Sequence, residues 1–169
     1  MESENLFIQI QINKTMYYIS RNTQVEESHL SLSFHHSYTK AKLIGALLKL
    51  EEFTVFTDLN LRIEDRNYKP DICLYPKQEI NLASSDIKSV SEKLPILVIE
   101  ILSQNHKIED ILDKFFSYFT SVVKSCWLVI PVAGSVIVYS SPDHARRFTT
   151  GDIVDKQLNI QVPLQEIFE

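Results

Sequence analysis

The arrangement of apolar residues along the chain predicts both buried strands and amphipathic helices. Continuous apolar runs occur in "LPILVIEILS", residues 94–103, and in "SCWLVIP", residues 125–131, and such runs are typical of strands buried on both faces. In residues 106–123, "HKIEDILDKFFSYFTSVV", apolar side chains recur at i, i+3, i+4 and i+7, which predicts a helix. Residues 37–53 carry leucine and isoleucine at the same spacing, so we expect a second amphipathic helix there.

Shorter patterns place the remaining elements around these four. Polar segments predict loops at 21–29 and 77–93. Alternating or short apolar segments predict further strands at 6–12, 15–20, 53–63, 68–76, 133–140 and within 146–162, and a closing helical turn at 163–168. The order of elements in 169 residues predicts a single domain, 1–169, of the α/β (α+β) class, with a mixed central sheet flanked by helices and additional β-hairpins.

Composition and charge exclude several classes of protein. The net charge of −5 argues against a broad basic face, and three dispersed glycines exclude phosphate loops of the P-loop or Rossmann type. The two cysteines, Cys73 and Cys126, lie in apolar runs without metal-ligand spacing, so we expect reduced core residues. An acidic N-terminus and short apolar runs favour a soluble, cytoplasmic protein without a signal peptide or membrane contact.

The run "LPILVIEILS" contains a carboxylate, Glu100, and burying a charge is costly unless it is paired, hydrogen-bonded or bound to a metal. Asp71 lies on the preceding predicted strand and Lys114 on the following helix. Two such carboxylates can share Mg²⁺, with the backbone carbonyl of Ile101 as a further ligand, while a nearby lysine orients the attacking water or, as the neutral amine, deprotonates it. Simpler alternatives stay open: Glu100 at a solvent-facing sheet edge, Asp71 in a turn, and Lys114 in a surface pair with Asp110.

These segments resemble the Uma-type family of restriction-endonuclease-like proteins, abundant in cyanobacteria, within the PD-(D/E)XK nuclease superfamily. The resemblance covers roughly residues 36–140 and rests on "VFTDLNLRI", "YKPDICLYP", "LPILVIEILSQNHKIEDILDKFFSYF" and "CWLVIPVAGSVIVYS". It implies a restriction-endonuclease-like fold and an Mg²⁺ cofactor, replaceable by Mn²⁺, held by Asp71 and Glu100. It also implies that Lys114 is catalytic and that His36 orients the substrate. The superfamily usually has its lysine two residues after the acid, where this chain has Leu102, and in the family the lysine of the following helix, here Lys114, takes that role.

The resemblance has one departure. Family members commonly carry an acid-rich strand near the start, whereas this chain reads "QVEESHLSLSF" in that region and offers no equivalent carboxylate. We expect a divalent-metal-dependent endonuclease that hydrolyses phosphodiester bonds of nucleic acid, DNA above all, and a homodimer by analogy. The alternative is a catalytically weak or inactive module that keeps the nuclease fold to bind protein or nucleic acid.

Surface cations leave two interpretations open. Lys40, Lys42 and Lys49 lie on the helix predicted at 37–53, where a solvent-facing lysine is the default and a phosphate contact the alternative. Arg146 and Arg147 form the one pair of adjacent arginines. The first interpretation is that these two charges lie at the edge of a hairpin and prevent another strand from pairing with it. The second interpretation is a contact with nucleic acid.

Overall fold

The computed structural model describes residues 25–80, 91, 93–103 and 107–169, with side chains described from residue 34 onward. The hairpin predicted at 6–12 and 15–20 lies outside the described residues, as does most of the loop predicted at 77–93. Among the described helices, none has both the length and the apolar character needed to cross a membrane.

Within the described residues, three helices accompany a six-stranded central sheet and two small hairpin sheets. In chain order the elements are α1 (Val25–Leu47), β1 (Phe53–Thr57), β2 (Leu61–Ile63), β3 (Arg66–Tyr68), β4 (Ile72–Pro76), β5 (Leu97–Ile101), α2 (Ile108–Phe119), β6 (Ser125–Ile130), a 3-10 turn (Pro131–Ala133), β7 (Ser135–Ser141), β8 (His144–Phe148), β9 (Asp152–Asp155), β10 (Ile160–Pro163) and α3 (Gln165–Phe168).

The central sheet is mixed, as predicted. Its strand order is β1-β4-β5-β6-β7-β8; β5 and β6 are parallel, and the other neighbours are antiparallel. The hairpins β2–β3 and β9–β10 form the two additional sheets. The segment 125–140 folds as the predicted hairpin, in which Gly134 adopts a positive φ of 51° that a glycine tolerates without strain.

One end of this sheet gathers residues that are far apart in sequence. Because β5 and β6 are parallel, both finish at this end, which we call the β5 end. Antiparallel pairing then brings the first residues of β4 and β7, and the last residues of β1 and β8, to the same end. The β5 end therefore collects side chains from six strands.

Apolar clusters cover both faces of the sheet. On one face, α1, α3 and the β9–β10 hairpin pack against alternate residues of the central strands, such as Leu97, Ile99 and Trp127. On the other face, α2 packs through residues such as Ile111 and Phe115 against the intervening positions. Successive strand residues point to opposite faces. Glu100 follows Ile99 and therefore belongs to the α2 face.

Two local predictions meet different outcomes. The predicted loop at 21–29 is wrong from Val25 onward, because α1 begins there; polar residues do not break a helix, and residues 25–44 contain neither proline nor glycine.

The prediction for the cysteines is confirmed, since Cys73 and Cys126 are both free and buried. Trp127 is a core residue as well, and its Nε1 donates a hydrogen bond of 2.8 Å to buried Asp155.

Candidate active site

Strand pairing brings the two predicted metal-binding carboxylates together. The register between β4 and β5 pairs Ile72 with Ile99, and its continuation places Asp71, one residue before β4, opposite Glu100. Side chains directly opposed in an antiparallel pair share a face of the sheet. The backbone N–H of Ile101 also donates a 2.9 Å hydrogen bond to Asp71 Oδ2. The carboxylate of Asp71 is therefore tied to the end of the strand that carries Glu100.

Glu100 is buried beneath α2. The residue is only 2% exposed, so the alternative of a solvent-facing strand residue is wrong. Lys114 Nζ lies 3.3 Å from Glu100 Oε1 and 3.4 Å from Oε2, and the Tyr118 hydroxyl donates to Oε1 at 3.2 Å. Lys114 and Tyr118 are four residues apart on α2 and share one side of it. The ammonium thus pairs with Glu100 rather than with Asp110.

The environment of Glu100 opposes its charge. Burial, with the nearby charge of Asp71, raises the pKa of the Glu100 carboxyl from 4.5 to about 7, even though the Lys114 ammonium and the Tyr118 hydroxyl favour ionisation. The side chain of Lys114 is 30% exposed, so its charge is partly satisfied by water. An additional cation would strongly stabilise the ionised form of Glu100, because so few groups compensate for its burial.

Asp71 is in the opposite situation. Burial alone would raise the pKa of its carboxyl, but hydrogen bonds from His36 and from the Ile101 N–H, with the charges of His36 and Lys40, outweigh burial and lower the pKa. His36 Nε2 lies 3.2 Å from Asp71 Oδ1 and Lys40 Nζ lies 3.4 Å from the same oxygen. Asp71 stays ionised at neutral pH, and α1 supplies the groups that hold it.

A third carboxylate, Asp58, adjoins this pair and has no counterpart among the sequence predictions. Lys40 Nζ lies 2.8 Å from Asp58 Oδ2, and the backbone N–H of Asp58 donates to the Asp71 carbonyl at 3.2 Å. Continuing the β1–β4 register sets Asp58 opposite Asp71, so Asp58, Asp71 and Glu100 stand in one row across three strands. His36, one residue before the helix predicted at 37–53, and Lys40, within that helix, are four residues apart, and this helical spacing was the available sequence signal for the contribution of α1. No such signal existed for Asp58, because its position depends on strand register.

The donor set of this row suits a hard cation. Within the described ranges, no group of three or more His, Cys, Asp or Glu side chains could hold a metal ion. Mg²⁺ keeps several waters and binds through one or two carboxylates plus substrate phosphates. Asp71 and Glu100 supply two carboxylates on neighbouring strands, and the backbone carbonyl of Ile101 follows Glu100 directly in the chain.

Comparison with known proteins agrees with this architecture. A family model described as "Uma2: Putative restriction endonuclease" matches residues 7–165. The chain belongs to the Uma2 family. The match includes the described acidic row and all of α2, and it confirms the resemblance drawn from the segments between residues 36 and 140. No curated protein matches the chain.

The fold of this Uma2 chain is also similar to a solved structure. That structure is described as "a putative nuclease belonging to DUF820" from Anabaena variabilis; it superimposes with a TM-score of 0.62 at 17% sequence identity, over 79% of this chain and 80% of the other. At this identity the likeness establishes the shared fold. It confirms the predicted class of a mixed central sheet flanked by helices.

Proposed function

We propose that this Uma2 chain is a divalent-metal-dependent endonuclease that hydrolyses phosphodiester bonds of nucleic acid, with DNA as the first substrate to test. One observation carries the proposal: Asp71 and Glu100 lie opposite each other in the continued register of two neighbouring strands, and buried Glu100 is contacted by a lysine of the next helix. The description of the family as a "Putative restriction endonuclease" and that of the similar structure as "a putative nuclease" agree with it.

Asp71 and Glu100, with the backbone carbonyl of Ile101, would hold Mg²⁺ or Mn²⁺. When bound, the ion supplies Lewis-acid polarisation of the scissile phosphodiester and neutralises charge that develops on it. Glu100 would then be fully ionised, since a divalent charge beside a carboxylate favours its charged form. The Ile101 N–H keeps Asp71 oriented through its 2.9 Å hydrogen bond.

Lys114 is the residue we assign to the attacking water. Its ammonium lies beside Glu100 yet remains partly exposed, so it can turn a hydrogen-bond donor toward the entering substrate. There it would orient the water and stabilise negative charge on the phosphate as the bond to the leaving oxygen breaks. The hydroxyl of Tyr118 retains one contact with Glu100 while Lys114 does this.

His36 and Lys40 complete the site from α1. Both contact Asp71 Oδ1, and both can donate to a phosphate oxygen that approaches this carboxylate. His36 would orient the substrate, in line with the role that the family resemblance implies. Lys40 adds positive charge beside an acidic row that would otherwise repel a polyanion.

A second candidate is a nuclease-fold module without catalysis, which binds protein or nucleic acid. The observation that favours it is that lysines of this chain already pair with all three carboxylates of the row, Lys40 with Asp58 and Asp71 and Lys114 with Glu100. A module of this kind needs no metal, because internal cations replace it. Metal binding therefore separates the two candidates.

The test combines calorimetry with a cleavage assay. Wild type should bind Mn²⁺ and nick supercoiled plasmid in Mg²⁺ or Mn²⁺, whereas Asp71→Asn and Glu100→Gln should lose both properties. Lys114→Met should bind the metal at least as tightly as wild type, because it removes an ammonium that competes for Glu100. It should cut at a rate reduced by about 10²- to 10⁴-fold, the range for removal of a proton-transfer or orienting group.

Matched variants control for charge. Asp65→Asn and Lys107→Met remove exposed charges of the same type outside the row and should behave as wild type. Equal nicking by wild type and all three site variants would refute catalysis at this site. Absence of Mn²⁺ binding, together with absence of nicking of any plasmid, duplex or single strand, would favour the second candidate.

A further inference from the structure

Two buried polar atoms lack a hydrogen-bond partner among the described residues: Ser135 Oγ and Arg147 Nε. Ser135 is 0% exposed, whereas Arg147 is half-buried. A buried N–H or hydroxyl without a partner costs free energy, and such groups in folded proteins call for an explanation in terms of function or of a missing ligand. Neither atom takes part in the site proposed above.

The two atoms belong to neighbouring side chains. The β7–β8 register pairs Ile137 with Arg147, and Ser135 lies two residues before Ile137, so it shares the face of Ile137 and is the diagonal neighbour of Arg147. Diagonal neighbours on a sheet are about 7–8 Å apart, which a long side chain can span. Arg147 thus reaches the vicinity of a hydroxyl for which the described part of the chain offers no hydrogen-bond partner.

Both side chains face α2, as Glu100 does. Along β8, Ala145 packs against the cluster under α2 and Phe148 against the cluster on the other face, so Arg147 alternates onto the α2 side. Successive registers place Glu100 opposite Leu128, Leu128 opposite Ile137, and Ile137 opposite Arg147. Arg147 therefore ends the same transverse row that begins with the carboxylates.

This placement sets a distance. Three strand spacings separate β5 from β8, and at about 4.8 Å per spacing the backbones are roughly 14 Å apart. One nucleic-acid strand rises about 3.4 Å along the helix axis per phosphate, and successive phosphates on the winding strand are roughly twice that distance apart. A strand lying across the β5 end of the sheet, with one phosphodiester at Asp71 and Glu100, would bring a phosphate about two nucleotides away to Arg147.

We propose that Arg147 and Ser135 form a phosphate-binding site that holds the substrate strand about two nucleotides from the scissile bond, a proposal that rests on the proposed nuclease function. The half-buried guanidinium makes the first contact, and the Ser135 hydroxyl donates once the phosphate has entered. Guanidinium groups suit this task because they form paired, charge-assisted hydrogen bonds with phosphate oxygens.

The neighbouring arginine provides a matched control. Arg146 is exposed and its guanidinium lies 4.9 Å from the centroid of the Phe148 ring, on the opposite face of the same strand. An electrostatic or edge-protecting role would be shared by Arg146 and Arg147. A specific phosphate site requires Arg147 alone.

The experiment measures binding of fluorescein-labelled 20-nucleotide DNA, single-stranded and duplex, by anisotropy at several salt concentrations. Arg147→Met should weaken binding by roughly tenfold and lower the slope of log K against log salt by about one, the effect expected for one lost phosphate contact. Ser135→Ala should weaken binding only a few-fold with the slope unchanged, because the hydroxyl is neutral. Arg146→Met should change neither quantity.

Three results would overturn the phosphate site: equal effects of Arg146→Met and Arg147→Met, no effect of either, or no DNA binding by wild type. Thermal unfolding provides a second readout, since replacing an unpartnered buried N–H by a methionine should leave the melting temperature unchanged or raise it. A large fall would instead assign Arg147 a structural role and likewise overturn the proposal.

The outcomes remain separable from those of the nuclease proposal. Loss of Mn²⁺ binding or of cleavage in the Asp71 and Glu100 variants is measured without reference to Arg147. If wild type never cleaves but Arg147→Met lowers the salt slope, the phosphate site stands and catalysis fails. If wild type cleaves and Arg147→Met binds and cleaves normally, catalysis stands and the phosphate site fails.

Discussion

Replacing Glu100 with glutamine should remove a pH dependence of stability that the wild-type protein carries without divalent metal. Burial raises the pKa of the Glu100 carboxyl from 4.5 to about 7 in the folded protein, so the folded state binds this proton more tightly than the unfolded state. The resulting stability is fully present below pH 4.5 and is lost as the pH rises through 7. At about 1.4 kcal/mol per pH unit, the loss amounts to roughly 3 kcal/mol.

The assay is urea unfolding in EDTA between pH 4.5 and 8.5. The free energy of unfolding of wild type should fall relative to that of Glu100→Gln by roughly 3 kcal/mol over this window. Asp71 does not interfere, because the pKa of its carboxyl is lowered and its contribution is lost only as the pH falls through that lowered value. Glu109→Gln, which removes an exposed acid from α2, should follow the wild-type curve.

Divalent metal supplies a second arm of the same experiment. At pH 8, Mg²⁺ should restore stability to wild type, since it binds the ionised carboxylate of the folded state, and should leave Glu100→Gln unchanged. Wild-type and Glu100→Gln curves that run parallel from pH 4.5 to 8.5 would refute the argument from burial. Equal stabilisation of both proteins by Mg²⁺ would place the metal elsewhere.

Two further predictions concern the neighbours of the carboxylates. In Tyr118→Phe, which removes a hydrogen bond to Glu100 Oε1, the pH-dependent loss of stability should extend to higher pH than in wild type, because that hydrogen bond lowers the pKa of Glu100. A loss that ends at or below the wild-type pH in the same urea series would contradict this. Lys40→Met should raise Mn²⁺ affinity several-fold by calorimetry, because the ammonium competes for Asp71. Lys42→Met should not change that affinity, and a loss of affinity in Lys40→Met would mean that Lys40 supports the site.

The central strands and α2 were predictable because the apolar patterns of their sequences correspond to the residues that pack in the core. The run at 94–103 is strongly apolar and its strand is buried on both faces, and the helical spacing at 106–123 matches the residues of α2 that face the sheet. The start of α1 was not predictable in the same way. Its first residues carry no apolar stripe, and a polar segment reads equally well as a loop or as an exposed helix.

The amino-acid sequence by itself provided the chemical groups of the proposed metal site. Glu100 stands out because a charge in a buried segment needs a partner, and Asp71 and Lys114 gained weight from the family resemblance. Only the tertiary structure decided which groups meet. Strand register sets Asp58 beside Asp71 and aligns Arg147 with Glu100, and helix packing brings Lys40 to two carboxylates. Register and packing depend on contacts between distant segments, and local sequence patterns carry no record of them.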